Sequence, residues 1–516
     1  MRQEGYEKRQ FKGDQDHPHD LCVLYIIYIH YLHDCLERGA YPVRRYSITA
    51  SLTTLWLCLM LELNGCGSSS TPPTASHPTH TSTPAGAKAS ATPQTNQGTS
   101  TSAVSEILAH PAAGNQRVKV SVASNIRGGT FAQDRYLNVP PHMQISVYAR
   151  IPKARFMAVT PDGDLLVSVP DEGKVDLVRS NQQGNSSIST FVGGLRRPQD
   201  IVFHTIGQQA YVYISETNQV NRFLYQKGDT QAHNRQIVVK GLPDSSSPEL
   251  HGAYGHELKN IALDSNNKLY VSIASTCNAC LADTRSNPLR GAIYQYNADG
   301  TQGHLYAHGL RNAEGLAFVP GSNELWVAVN NRDNILYPHQ DATGQYGQRI
   351  PAYVDNHPPE EFTHVQEGAN YGWPFCNPNQ DQGLNHMPFD RDVEFNADGH
   401  VNCDQMQRID KGIQAHSAPL GLTFLQDPVA ANPQHTGALI SLHGSWNRTV
   451  PTGYKVIYFP WNNQSHQPEQ QIDLVTGWQD NTSVWGRPVD TAIDHQGNIF
   501  ISDDLNGTVY KLAYQP

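Results

Sequence analysis

The chain has 516 residues, with 37 basic and 47 acidic side chains and a formal net charge of −10. Charged residues are 16% of the total, below the roughly 25% of an average soluble domain, while Gly (41), Pro (33) and Tyr (24) are plentiful. With no basic face for a polyanion and no long helical period, a nucleic-acid binder, a coiled coil and a helical array are excluded, leaving an exported, turn-rich all-β protein.

In chain order, residues 1–45 read as an upstream extension, from a start placed too early or as a short membrane-associated segment, with an apolar patch at 21–33 broken by His30 and His33. Residues 46–66 read as a lipoprotein-type signal peptide: Arg44 and Arg45 precede the uncharged run YSITASLTTLWLCLML, and Cys66 follows. That run is shorter than the about 20 apolar residues of a membrane-spanning helix. Cleavage before Cys66 makes it the lipidated N-terminus, so the expectation is a cell-envelope lipoprotein held to the membrane by its anchor, on the periplasmic side or outer surface. Asn64 departs from the small or β-branched residue usual at its place. Residues 67–116 are expected to form a disordered linker; up to about Ala103 they are almost entirely Ser, Thr, Pro, Ala, Gly and Gln. Such a segment buries too little apolar surface to offset its ordering entropy.

From 117 to 516 one phrase recurs: an apolar pair, a turn, and an alternating strand that ends in small polar residues. Copies begin at MAVTPDGDLLVSV (157–169), IVFHTIGQQAYVYIS (201–215), IALDSNNKLYVSIAS (261–275) and LAFVPGSNELWVAVN (316–330), then at 422–445 and 491–514. Taking Ser168, Ser215, Ser272, Ala328, Leu442 and Ser502 as equivalent, the spacings are 47, 57, 56, 114 and 60. Short strands repeating on that scale predict propeller blades, with the 114-residue step read as one blade plus a long insertion. The fold expected is a six-bladed β-propeller whose ring is closed by MQISVYARI (143–151) against the last blade.

Function in such a ring lives on the loops at one mouth of the channel. His256 stands five residues before the strand at Ile261. Arg311 and Asn312 sit in GLRNAEGL; a guanidinium fork suits a carboxylate or quinone oxygen, and an amide both donates and accepts. Asn330, Asn331, Arg332 and Asp333, with Glu360 and Glu361 further on, offer the carbonyls and carboxylates that suit a hard cation such as calcium. HGSWNR (443–448) and Arg487 complete the clusters; turn chemistry and surface charge are the plainer reading of each. Cys277 and Cys280 are open to zinc, redox or disulfide readings. Zinc wants a second pair at similar spacing, whereas Cys376 and Cys403 are 27 apart. In an exported chain two disulfides, 277–280 and 376–403, are the simpler expectation, although sequence does not fix connectivity.

Together GLRN-x-x-GLAF, PPEEFTHVQEGANYGWPFC, HGSWNR and RPVDTAIDHQGNIFISDD resemble the soluble quinoprotein sugar dehydrogenases, in particular the L-sorbosone dehydrogenase branch. The resemblance covers the chain from about residue 130 to its end. It implies a six-bladed propeller binding pyrroloquinoline quinone (PQQ) and calcium at one mouth, and oxidation of an aldose or sugar aldehyde without NAD. It further implies His256 as general base, Arg311 and Asn312 against the quinone, and Arg487 on a PQQ carboxylate. Asn330 would hold cofactor, while the main-chain carbonyls of Asn331 and Arg332 would hold calcium. Three departures count against glucose as the substrate. Gly255 stands where the glucose-oxidising branch has an Asp that orients the base, Val489 replaces a second arginine, and no Gln before the Ile201 strand matches the residue that assists the base. Electrons must pass to an external acceptor, a quinone or cytochrome, since no Cys-x-x-Cys-His is present. The alternatives are a calcium-dependent sugar lactonase and a non-catalytic ligand-binding propeller.

Overall fold

The computed structural model describes residues 101–111, 114–180, 186–426, 436–480 and 483–516. The upstream extension, the signal segment, Cys66 and the linker as far as residue 100 lie outside the described residues.

Strand patterning decides the architecture. Met143–Arg150 alternates buried with less buried positions, as a half-covered strand should, whereas Leu165–Val169 is buried throughout, as a central strand should be. Blade 1 (157–192), blade 2 (201–240) and blade 3 (261–308) each pair four consecutive antiparallel strands. Blade 4 (312–413) reaches its fourth strand, Ile409–Ile413, only after a long insertion, and blade 5 spans 419–475. Blade 6 consists of Pro488–Ile493, Ile499–Asp503 and Thr508–Tyr514, with Met143–Arg150 as its outer strand, paired from Met143↔Tyr514 to Arg150↔Thr508. The six-bladed ring and its closing strand are as expected from the repeat.

The core lies between neighbouring blades. Leu166, Val175 and Leu177 of blade 1 pack with Val212, Ile214 and Phe223 of blade 2, for example. Each such buried side chain contributes about 1.5–3 kcal/mol. Hydrogen bonds then stitch the inner strands. The hydroxyls of Ser168, Ser215, Ser272 and Ser502 accept from the backbone N–H of Phe156, Asp200, Asn260 and Asp490, each just ahead of or opening its inner strand. In blade 5 the pairing of Leu422 with Ile440 makes Ser441, not Leu442, the equivalent residue. Asp200 accepts from Ile201 N at 2.8 Å and Ile261 N at 2.9 Å, joining blades 2 and 3. Asp490 accepts from Met157 N at 2.9 Å, joining blades 6 and 1.

One finding corrects the expected linker boundary at 116: Ala103–Ala109 is a helix whose Ser102 cap accepts from Ser105 N. Its Ala103, Val104 and Ile107 are buried in the same cluster as Ile499 and Leu512 of blade 6, and Val104 N bonds Gly497 O at 3.1 Å. Apolar residues three and four apart make this face, which the Ser/Thr-rich surroundings mask in the composition. The blade 4 insertion is pinned by Arg332, whose guanidinium pairs with Asp392 and Glu394, and by a Cys376–Cys403 disulfide. Cys277 and Cys280 are bridged to each other in the loop after the second strand of blade 3. Among the described residues no helix is long and apolar enough to cross a membrane.

Candidate active site

In an antiparallel blade the loop entering the first strand and the loop leaving the second lie on the same face. That face gathers His256, Arg311, Asn330 to Asp333, His443 and Arg487.

His256 Nδ1 lies 2.8 Å from Ser275 O and 3.0 Å from Ser275 Oγ. The Ser275 hydroxyl itself donates to Cys277 O, so Nδ1–H donates to the carbonyl and Nε2 keeps its lone pair. A backbone carbonyl thus does the orienting that Gly255 cannot. Burial, and then the nearby Arg311 charge, pull the imidazole down to about 4, so His256 is neutral at neutral pH. Ser275 N also bonds Arg311 O at 2.8 Å, tying the two candidates together.

Arg311 is buried and largely engaged. Its Nε donates to Asn278 O at 3.0 Å, its Nη1 to Asn330 O at 3.3 Å and its Nη2 to Asn278 Oδ1 at 3.3 Å, with Asp333 at 3.8 Å. Asn330 Nδ2 donates to Pro419 O at 2.7 Å, crossing to blade 5. Asn331 N donates to Glu360 Oε2 at 2.6 Å, and its side chain donates to Glu361 Oε1 at 2.9 Å. Arg332 sends its side chain away from this group into the insertion. His416 bonds Asp333 at 3.0 Å; burial opposes its proton, but Asp333 and Glu360 outweigh burial and raise its pKa. Burial pushes Glu360 up to about 7, and burial with the Glu360 charge raises Glu361.

Across the mouth, Arg487 donates through Nε to His443 O at 3.1 Å, and its N bonds Asp503 Oδ1 at 3.0 Å. His443 Nε2 lies 2.8 Å from Asp504, which also receives Arg155 Nη1 at 3.0 Å. Burial works against that carboxylate, yet the His443 bond and the Arg155 and Arg487 charges hold it far below the usual range.

Beneath, Asn312 and the adjoining channel carry residues that the sequence reading passed over. Asn312 Nδ2 donates to Glu314 Oε1 at 3.1 Å, and Gln199 Nε2 donates to Glu314 Oε2 at 3.3 Å. Gln199 stands two residues before Ile201, fully buried, with Oε1 accepting from Arg155 Nε at 3.1 Å. Its signal was present in the repeat, because Gln199-Asp200 precedes its strand as Lys259-Asn260 precedes Ile261. Val489, noted as replacing a second arginine, packs with Phe156 and Leu420 in a buried apolar cluster.

Two features bear on what this face can hold. The Nη atoms of Arg487 make no hydrogen bond to another described residue, leaving its fork for an anionic ligand. Glu361 Oε2 is buried with no partner, an oxygen that a proton or hard cation would satisfy. Among the described residues no three His, Cys, Asp or Glu side chains converge as a metal cluster, so a cation here needs main-chain and ligand oxygens as well.

A family model described as TrAA12-like matches residues 139–515. The chain belongs to the TrAA12-like family. An uncharacterized protein of Borreliella burgdorferi is 24% identical to this TrAA12-like chain over 390 residues, 73% of this chain and 91% of that protein. A pyrroloquinoline quinone-dependent pyranose dehydrogenase of Coprinopsis cinerea is 23% identical over 329 residues, 55% of this chain and 42% of that enzyme, so less than half of the enzyme's length is matched. The holo PQQ domain of the Coprinopsis cinerea pyranose dehydrogenase superposes with a TM-score of 0.61 at 19% identity, over 73% of this chain and 96% of that one. The calcium structure of the Trichoderma reesei carbohydrate-active enzyme of family AA12 gives a TM-score of 0.60 at 20% identity, over 73% and 96%. At these identities the likeness to the solved structures is one of fold.

Proposed function

We propose that this TrAA12-like chain is a PQQ- and calcium-dependent oxidoreductase that oxidises an aldose or a sugar aldehyde of the sorbosone kind and passes electrons to an external quinone or cytochrome. The observation that carries the reading is His256: a neutral imidazole held by Ser275 O at 2.8 Å, with Nε2 unprotonated and Arg311 close beside it. Membership of the family and the PQQ-dependent pyranose dehydrogenase relative support the same class.

Arg311, Asn312, Asn330 and Arg487 would hold the cofactor, the unpaired Arg487 fork meeting a carboxylate. The main-chain carbonyls of Asn331 and Arg332, with Glu361 Oε2, would hold calcium. When bound, the quinone supplies an electrophilic carbonyl for hydride and calcium draws charge from its oxygens. His256 Nε2 takes the proton of the substrate hydroxyl, a contribution of about 10²–10⁴-fold for a placed general base. Arg311, fixed by Asn278 and Asn330, keeps a positive charge in place without reorganising. Phe156, Leu420 and Val489 form a buried apolar cluster. Anchoring to the envelope through Cys66 belongs to the same proposal. A lactonase would need a carboxylate cluster free for metal, whereas Asp200, Glu314 and Asp490 are engaged with backbone or amide N–H groups.

The test is reconstitution of the full chain with PQQ and calcium, following dye reduction across aldoses and sugar aldehydes. Calcium-dependent turnover that His256→Ala abolishes, with the PQQ-induced spectral change kept, is the expected result. The absence of any spectral change or thermal stabilisation by PQQ in the wild-type chain would sink it.

A further inference from the structure

Hydrogen bonds cross the channel floor in one unbroken series. His443 bonds Asp504, Asp504 receives Arg155, Arg155 donates to Gln199, Gln199 donates to Glu314, and Glu314 also receives Asn312. The series takes its members from blades 5, 6, 1, 2 and 4 in turn, counting the loops that enter or leave their strands. Glu314 is its turning point. It is buried, and its two carboxylate oxygens are used by two different amides. Among the described residues no cation lies within ion-pair distance of it; Arg155 and Lys259 act on it from further away, and Asp200 is the neighbouring acid.

We infer that Glu314 is a positioning residue whose carboxylate sets which way the Gln199 and Asn312 amides face, and through Gln199 fixes Arg155 across the channel. An ionised carboxylate only accepts, so both amides must turn their NH2 groups to it. Gln199 is then left with Oε1 toward Arg155, the arrangement observed at 3.1 Å. Asn312 likewise turns its oxygen away from Glu314. A neutral amide at 314 accepts at one end and donates at the other, so one neighbour must turn over: if Asn312 does, its NH2 rather than its oxygen points away from 314. If Gln199 flips to suit it, an NH2 meets the Nε–H of Arg155, donor against donor, and the series breaks between blades 1 and 2.

The structural claim stands on these bonds alone; its consequence for turnover rests on the proposed function. The test is a swap in the full chain, comparing Glu314→Gln, Gln199→Glu and the double variant. The first single variant mismatches the amides, and the second sets two carboxylates face to face. The double variant restores complementarity, because Glu at 199 accepts from both Arg155 and Gln at 314, whose oxygen still accepts from Asn312. In the cofactor-free protein each single variant should lower the urea midpoint, and the double variant should recover most of the loss. In the loaded enzyme Glu314→Gln should raise KM about tenfold, the weight of one unpaired buried group, and the double variant should return it to within about twofold. A double variant as impaired as the worse single variant in both measurements overturns the inference. Should a single variant fail to fold, renewed folding of the double variant supports the inference, and its continued failure overturns it. If the wild-type chain shows no turnover, the proposed function has failed and the urea midpoints alone decide this point.

Discussion

One position, repeated around the ring, separates the molecule into two regions. The residue two places before the body of each inner strand is Arg155, Gln199, Lys259 and Glu314 in blades 1 to 4, but Leu420 and Val489 in blades 5 and 6. The polar sector holds its members by hydrogen bonds of defined direction, and burial pulls Lys259 down to about 7. The apolar sector closes on Phe156. The same backbone therefore carries hydrogen-bonded polar groups in one sector and packed apolar side chains in the other.

The largest effect should come from forcing charge into the apolar sector. Val489→Arg places a guanidinium beside Phe156 and Leu420 with no acid released to meet it, so we expect a loss of about 3–5 kcal/mol in urea unfolding. A variant as stable as wild type would mean that Asp490 or solvent reaches this sector, and the division would dissolve. Next, a Cβ at Gly421 would lie 2.1 Å from Asp490 Oδ1 and 2.7 Å from its Cα. Gly421→Ala should therefore disturb the bond from Met157 N to Asp490 and destabilise by about 1–3 kcal/mol, read in the same unfolding experiment.

A finer test uses pH. Burial pushes Asp200 up to about 7, above its unfolded value of 3.8, so the folded chain holds that proton more tightly. Its stabilisation is fully present below about pH 4 and is lost as pH rises through about 7. The melting-temperature gap between wild type and Asp200→Asn should accordingly be widest near pH 4 and narrow by pH 8; a constant gap would contradict the burial argument. Smallest is the shape of an activity profile: with His256 at about 4, kcat/KM should stay flat from neutral pH down to about 5 and fall only through about 4. A fall centred on the ordinary histidine value would show an imidazole more solvated than its neighbours imply.

The sequence displays the six blades clearly because alternation and turns repeat locally, and the closing strand follows from counting strands. The helix at Ala103–Ala109 was hidden by its neighbours: seven residues beside a Ser/Thr/Pro tract carry too little period to stand out. At the site, His256, Arg311 and Arg487 are legible because each residue type already suggests chemistry. Gln199 and Glu314 are not, since single amides and acids are common and theirs gain meaning only when blades 2 and 4 face each other. Arg332 belongs to the Asn330 to Asp333 group by its main chain alone: it adjoins Asn331 in sequence, while its buried side chain turns to Asp392, sixty residues on.

The helix that opens the folded part rests against Gly497, in the turn joining the first two strands of blade 6. That turn is at the opposite end of those strands from Arg487 and Asp503, so Ser102 leaves the ring on its back. A tag, surface linker or electrode coupling attached ahead of Ser102 would therefore grip the protein from behind. The mouth that carries His256 would face the solution.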